Sequence, residues 1–268
     1  MIRQLAWARR RHTVLAAALT AAALITSACS STVVDRSPQV RKEPAPPGHE
    51  VTAQPVTAPA FSTPTEGTIS PGVRLTLPFS GSSKPGLCTA GFLVSLPDGR
   101  TGVLSAGHCQ YPGDAALDAS GKHIGTYLYS IDQGKKANDT DTALIVLDPG
   151  LHVDSWILET TSVTDVATVA DLTIGRNGQM PMICFYGATT GGGPQCGTNS
   201  TVEGDKLALW APAARPGDSG GPVWAVWPDG SRSAVGSLIR TGSTPGKPDT
   251  VAATLAAPWL DKWSLTLK

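Results

Sequence analysis

Three short runs of this 268-residue chain hold the side-chain types needed for nucleophilic acyl transfer. They are Ser105-Ala106-Gly107-His108-Cys109, Asp141-Thr142-Ala143-Leu144 and Pro216-Gly217-Asp218-Ser219-Gly220-Gly221-Pro222. A serine hydroxyl is a poor nucleophile until a base accepts its proton, so Ser219 would need His108 within hydrogen-bond reach. A neutral imidazole has one donor and one acceptor nitrogen. An acid holding the donor side turns the acceptor towards the hydroxyl, and Asp141 is the preferred candidate for that role. Asp139 competes from two residues away, but Asp141 directly opens an apolar run. Of the five histidines, His12 and His49 fall in the N-terminal quarter, and His123 and His152 have no motif around them. The chain has no Cys-x-x-Cys pair and too few histidines near its cysteines, His108 beside Cys109 being the one case, so neither a metal nor a cofactor is expected.

Something must hold three such distant runs together, and the composition favours strands. Residues 72–268 carry 27 of the 29 glycines, and their apolar runs are short with turn residues between them. Strands are expected at 73–79, 87–96, 101–105, 123–129, 141–147, 180–186, 201–209, 222–227, 233–240 and 250–254. Pro97-Asp98-Gly99-Arg100 and Pro228-Asp229-Gly230-Ser231 each lie between two such runs and predict hairpins. One helix is expected near 256–263. With only 16% charged residues and so many glycines, a coiled coil or helical bundle is disfavoured and an all-β domain is the leading class. Trp210, Trp224 and Trp227 read as core or rim residues. Lys plus Arg equals Asp plus Glu at 21 each, so no basic surplus points to nucleic acid.

The three motifs, in the chain order His, Asp, Ser and with Cys109 following the histidine, resemble the chymotrypsin-like, or trypsin-like, serine proteases, particularly their compact bacterial members. The resemblance covers nearly all of residues 72–268. It implies two six-stranded antiparallel β-barrels with a short C-terminal helix, a catalytic triad of His108, Asp141 and Ser219, and an oxyanion hole from the backbone N–H groups of Gly217 and Ser219. One such donor is worth about 3 kcal/mol in the transition state. Asp218 would be the buried acid supporting the nucleophile loop, paired with an internal cation. Disulfides Cys88–Cys109 and Cys184–Cys196 are implied likewise. The specificity pocket would involve Ala213, six residues before the nucleophile, with Leu238 and Ile239, or Arg240, narrowing it. Ala213 stands where Lys/Arg specificity requires an acid, so a small or medium apolar residue before the cut is expected. Nothing like the Ile-Val-Gly-Gly terminus freed in animal zymogens precedes Val73.

The N-terminus carries an address. Arg3, Arg9, Arg10 and Arg11 precede an uncharged Ala/Leu-rich run over 13–28, the layout of an export signal and short for a membrane span. Ile25-Thr26-Ser27-Ala28-Cys29 resembles the bacterial lipobox, which implies a lipidated Cys29. Thr26 stands where Leu is commoner, and ordinary cleavage near Ala28 is the alternative. Five cysteines fit this reading, since lipid on Cys29 leaves four for two disulfides. From 30 to 71 the chain has eight prolines and few large apolar residues, a composition for a disordered tether over 29–71. Removing 1–28 takes away four arginines and no acid, leaving a mildly acidic remainder. The expected protein is thus an exported, membrane-anchored or secreted monomeric serine endopeptidase of the bacterial cell envelope acting on peptide or protein substrates. The rival from another class is a protease-fold binding or scaffold lipoprotein with little or no turnover.

Overall fold

The computed structural model describes residues 65, 67–77, 86–110, 113–133, 139–198, 200–211, 214–242 and 249–268. Residues 1–64, with Cys29 and most of the expected tether, and Ala213 lie outside the described residues.

The first half supplies β1 (Thr68–Ile69), β2 (Arg74–Leu77), β3 (Gly86–Thr89), β4 (Leu93–Ser95), β5 (Thr101–Ser105), β6 (Ala115–Leu117), β7 (His123–Asp132) and β8 (Asp141–Leu147). The connection holds β9 (His152–Val153), β10 (Asp165–Val166) and the helix α1 (Val169–Ile174). The second half supplies β11 (Met182–Phe185), β12 (Gln195–Gly197), β13 (Ser200–Glu203), β14 (Lys206–Trp210), β15 (Pro222–Val226), β16 (Arg232–Gly242) and β17 (Thr250–Leu255). After these come α2 (Ala257–Lys262) and β18 (Thr266–Leu267).

Strand pairing yields two antiparallel sheets. The first runs β18-β4-β5-β8-β7-β6-β2-β3, and the second β12-β11-β15-β16-β17-β14-β13 with β10 parallel to β16. In the first, β3 and β4 lie far apart in the order yet are one chain bent at Ala90-Gly91, and this bend closes the sheet on itself. A Cβ on Gly91 would stand 2.5 Å from the Leu104 carbonyl oxygen, so the close approach there requires glycine. In the second, β12 and β13 follow one another across residues 198–199 and join the two ends in the same way. Counting each bent run once and setting aside the two-residue strands β18 and β10 gives six principal strands per barrel, the chymotrypsin-like double barrel. Both Pro-Asp-Gly turns connect hairpins, β4–β5 and β15–β16.

Packing explains why some strands read as unbroken apolar runs. Along β8, Ala143, Ile145 and Leu147 face the first barrel's core, while Leu144 packs outward against Ala256, Leu260 and Leu265 of the C-terminal segment. Both faces are therefore covered. Ile183, Phe185, Val223, Ala225 and Val235 belong to the second core. Trp224 and Trp227 are buried, Trp227 beneath the Arg176 guanidinium, whereas Trp210 sits at the rim.

Two features lay beyond the sequence expectation. Helix α1 is only six residues long, too short for a visible period. It starts at Thr168, whose hydroxyl accepts from the Asp171 N–H while the Asp171 carboxylate accepts from the Thr168 N–H. The packed fold also begins ahead of Gly72: β1 pairs in parallel with β9, and Ser70 is fully buried.

Candidate active site

His108 lies in a 3₁₀ turn (Gly107–Gln110) that begins two residues after β5 ends. Strand β5 pairs antiparallel with β8, whose first residue is Asp141, so the register delivers both side chains to the same end of the first barrel. The His108 Nδ1 is 2.7 Å from Asp141 Oδ2. The other carboxylate oxygen accepts the backbone N–H of Gly107 at 2.7 Å and that of His108 at 3.2 Å. Asp141 is thus held on both oxygens by the turn that carries the histidine. Its side chain is 2% exposed and that of His108 is 35% exposed, so the acid is buried while the imidazole reaches solvent. Gly107 is required at this point, because a Cβ would lie 2.0 Å from the Ile131 carbonyl oxygen. Asp139 does not take the bond to His108.

Ser219 comes from the second barrel, in the turn that precedes β15. Its carbonyl accepts the Thr89 N–H at 2.7 Å, and the Gly220 N–H donates to the Leu238 carbonyl at 2.6 Å. The turn is therefore anchored to a strand of each barrel. Gly217 has φ +102° and Gly220 φ +88°, conformations that favour glycine. The Thr89 hydroxyl donates to the Gly217 carbonyl at 2.8 Å. Neither the Gly217 N–H nor the Ser219 N–H donates to another described residue. Both groups lie in the turn that carries the serine, one on each side of Asp218.

Ser219, His108 and Asp141 line a single cavity of about 490 Å³, together with Ala214, Leu238, Ile239, Arg240 and Thr241. Leu238 and Ile239 are 1% and 3% exposed and belong to the cores of the second and first barrels. Their bulk is thus directed mainly into the barrels. Arg240, half-buried, is the larger polar presence, with Nη2 3.9 Å from Asp141 Oδ2.

Asp218 is fully buried, and its surroundings differ from the expectation of an internal cation. Its Oδ1 accepts the N–H groups of Thr189 at 2.9 Å and Thr190 at 2.8 Å. Oδ2 accepts the Arg215 N–H at 2.7 Å and the Thr190 hydroxyl. No Lys, Arg or His among the described residues forms an ion pair with it. Beside it, burial and the Asp218 charge push the Tyr186 phenol above its ordinary range.

Both disulfides form, Cys88–Cys109 and Cys184–Cys196, the latter linking directly opposed residues of β11 and β12. Cys88, His108 and Cys109 lie within 4.8 Å of one another, but the two sulfurs are bonded together and offer no thiolate to a metal. His123 pairs with Asp148 on the surface, and His152 is exposed on β9, both away from the cavity.

Solved structures share this fold. A Nocardiopsis protease matches with a TM-score of 0.54 at 21% identity, over 75% of this chain and 99% of its own. Protease A of Thermobifida fusca matches with a TM-score of 0.50 at 23% identity, over 75% and 98%. A glutamic acid specific serine protease matches with a TM-score of 0.51 at 21% identity, over 75% and 100%. The likeness is one of fold. No protein-family model and no curated protein matches the sequence.

Proposed function

We propose that this protein is an exported serine endopeptidase. The observation that supports the reading is a cavity lined both by Ser219 and by a histidine bonded to a buried acid, His108 with Asp141. In this mechanism His108 takes the Ser219 proton as Oγ attacks the scissile carbonyl carbon. Asp141 fixes the imidazole orientation and stabilises the imidazolium that forms. The N–H groups of Gly217 and Ser219 receive the oxyanion. Collapse of the tetrahedral intermediate expels the amine, which receives the proton from His108 and leaves an ester on Ser219. Water, deprotonated by His108, then hydrolyses that ester and restores the hydroxyl.

Arg240 bears on substrate choice. A guanidinium lining the cavity disfavours cationic side chains there, in line with a preference other than Lys or Arg. Export is supported by the two disulfides, which suit an oxidising compartment, and by the signal-like N-terminus. Anchoring through lipid on Cys29 completes the reading, and unchanged membrane partitioning of a Cys29→Ala variant would remove that part of it.

A fluorophosphonate probe tests the hydrolase reading. The wild type is expected to label on Ser219 and the Ser219→Ala variant not to label. Absence of labelling in the folded wild type would overturn it and leave a binding or scaffold role for the fold.

A further inference from the structure

We infer that Thr190 is a positioning residue that holds the nucleophile loop in its working shape through a clasp without a cation, so that competence does not wait for a new N-terminal amine. This rests on the serine endopeptidase reading. The carboxylate of Asp218 is fully buried, and a buried charge must be compensated by donors. Four are present, three backbone N–H groups and the Thr190 hydroxyl, and all come from two short segments, 189–190 and Arg215. Segment 187–191 is itself a closed turn, with the Gly191 N–H donating to the Gly187 carbonyl at 2.9 Å.

The fit between this turn and the nucleophile loop is tight at two places. A Cβ on Gly187 would stand 2.1 Å from Asp218 Cγ, and one on Gly217 would stand 2.2 Å from Thr189 Oγ1. The turn therefore touches both Asp218 and Gly217, the residue before Ser219 and one of the two expected oxyanion donors. Arg74 braces the same turn from outside, with Nη2 donating to the Ala188 carbonyl at 3.0 Å. The Thr89 hydroxyl completes the connection, accepting from the Ala188 N–H at 3.0 Å and donating to the Gly217 carbonyl. Every donor that a cation or a freed amine would supply to Asp218 is thus already present within the folded chain. Of the four, only the Thr190 hydroxyl belongs to a side chain, so it is the member a substitution can remove.

The test uses the full chain and a chromogenic peptide ester or amide found by library profiling. Thr190→Val keeps the side chain's shape and removes its donor. We expect kcat to fall about tenfold or more while KM stays within about twofold, because the loss is felt where the oxyanion forms. Thr190→Ser, which returns the hydroxyl, is expected to recover most of the rate. Unchanged kcat in Thr190→Val, or a serine variant no better than the valine one, would overturn the proposal. Thr190→Ala, which places no methyl against the carboxylate, is the second variant should valine prevent folding. If neither folds, the clasp is a requirement of folding and not a positioning device, and the proposal fails. A second measurement addresses the amine: mass analysis of the fluorophosphonate-labelled wild type should find the label on chains that still carry residues preceding Gly72. Label confined to chains cut near Val73 would overturn it. A wild type that takes no label at all overturns the hydrolase reading instead, which keeps the two failures distinct.

Discussion

The buried hydroxyl of Thr254 donates to the backbone carbonyl of Asp141 at 2.6 Å. Thr254 belongs to β17 in the second barrel and Asp141 to β8 in the first, so this bond fixes the acid of one barrel against a strand of the other. Thr254→Val keeps the shape and strands a buried carbonyl. A stability loss of about 1–3 kcal/mol is expected in denaturant titration. Hydrolysis should fall as well, and an unchanged rate together with unchanged stability would show that the bond positions nothing.

Gly107 offers a sharper test of the same corner. The Cβ of Gly107→Ala would have to displace backbone at Ile131, since the carbonyl oxygen there lies 2.0 Å from the added atom. Overpacking of this kind costs about 1–3 kcal/mol. The turn that moves also carries the two N–H groups that hold Asp141. Thermal melting should therefore shift down, and probe labelling of Ser219 should slow even in the fraction that stays folded.

The Cys184–Cys196 bridge closes a short loop at the edge of the second sheet and touches neither His108 nor Ser219. Replacing both cysteines by serine should lower stability by about 2–4 kcal/mol. The remaining folded protein should retain its kcat. A large drop in kcat without loss of stability would assign the bridge to the site instead.

Asp205 sets an expectation for acid. Burial opposes its ionisation, but bonds from Lys206, from the Trp259 indole N–H at 3.1 Å and from the Thr140 hydroxyl at 3.3 Å outweigh that and hold its carboxyl below the ordinary range. A carboxyl lowered in the folded state stabilises the fold above its unfolded value, about 3.9, and that contribution disappears as pH falls through the folded value. The melting temperature of the wild type should exceed that of Asp205→Asn at neutral pH. The gap should close below about pH 4, and a constant gap down to pH 2 would contradict this linkage.

Much of the site was legible because acyl transfer constrains residue types strongly. His108, Asp141 and Ser219 fall into one cavity, and both cysteine pairings formed. What escaped was what depends on three-dimensional proximity alone. The donors to Asp218 are mostly backbone N–H groups, which no side-chain pattern announces, so a cation was expected where Thr189, Thr190 and Arg215 offer main-chain hydrogens. Leu238 and Ile239 line the cavity, and the register shift between Leu238 and Arg240 that accompanies their packing into separate cores was not legible. The bent run over 87–96 was seen as a strand but not as a corner, because Ala90-Gly91 carries no turn signature. Helix α1 and the β1–β9 pair were too short to produce a period.

Strand β18 protects an edge that would otherwise be open. β18 pairs with β4, and Lys268 donates its N–H to the Leu93 carbonyl at 3.1 Å. One edge of β4 is therefore covered by residues 266–268. If a protease clips them, β4 presents unpaired backbone to its neighbours. Residues 266–268 act as a seal whose absence leaves an adhesive edge.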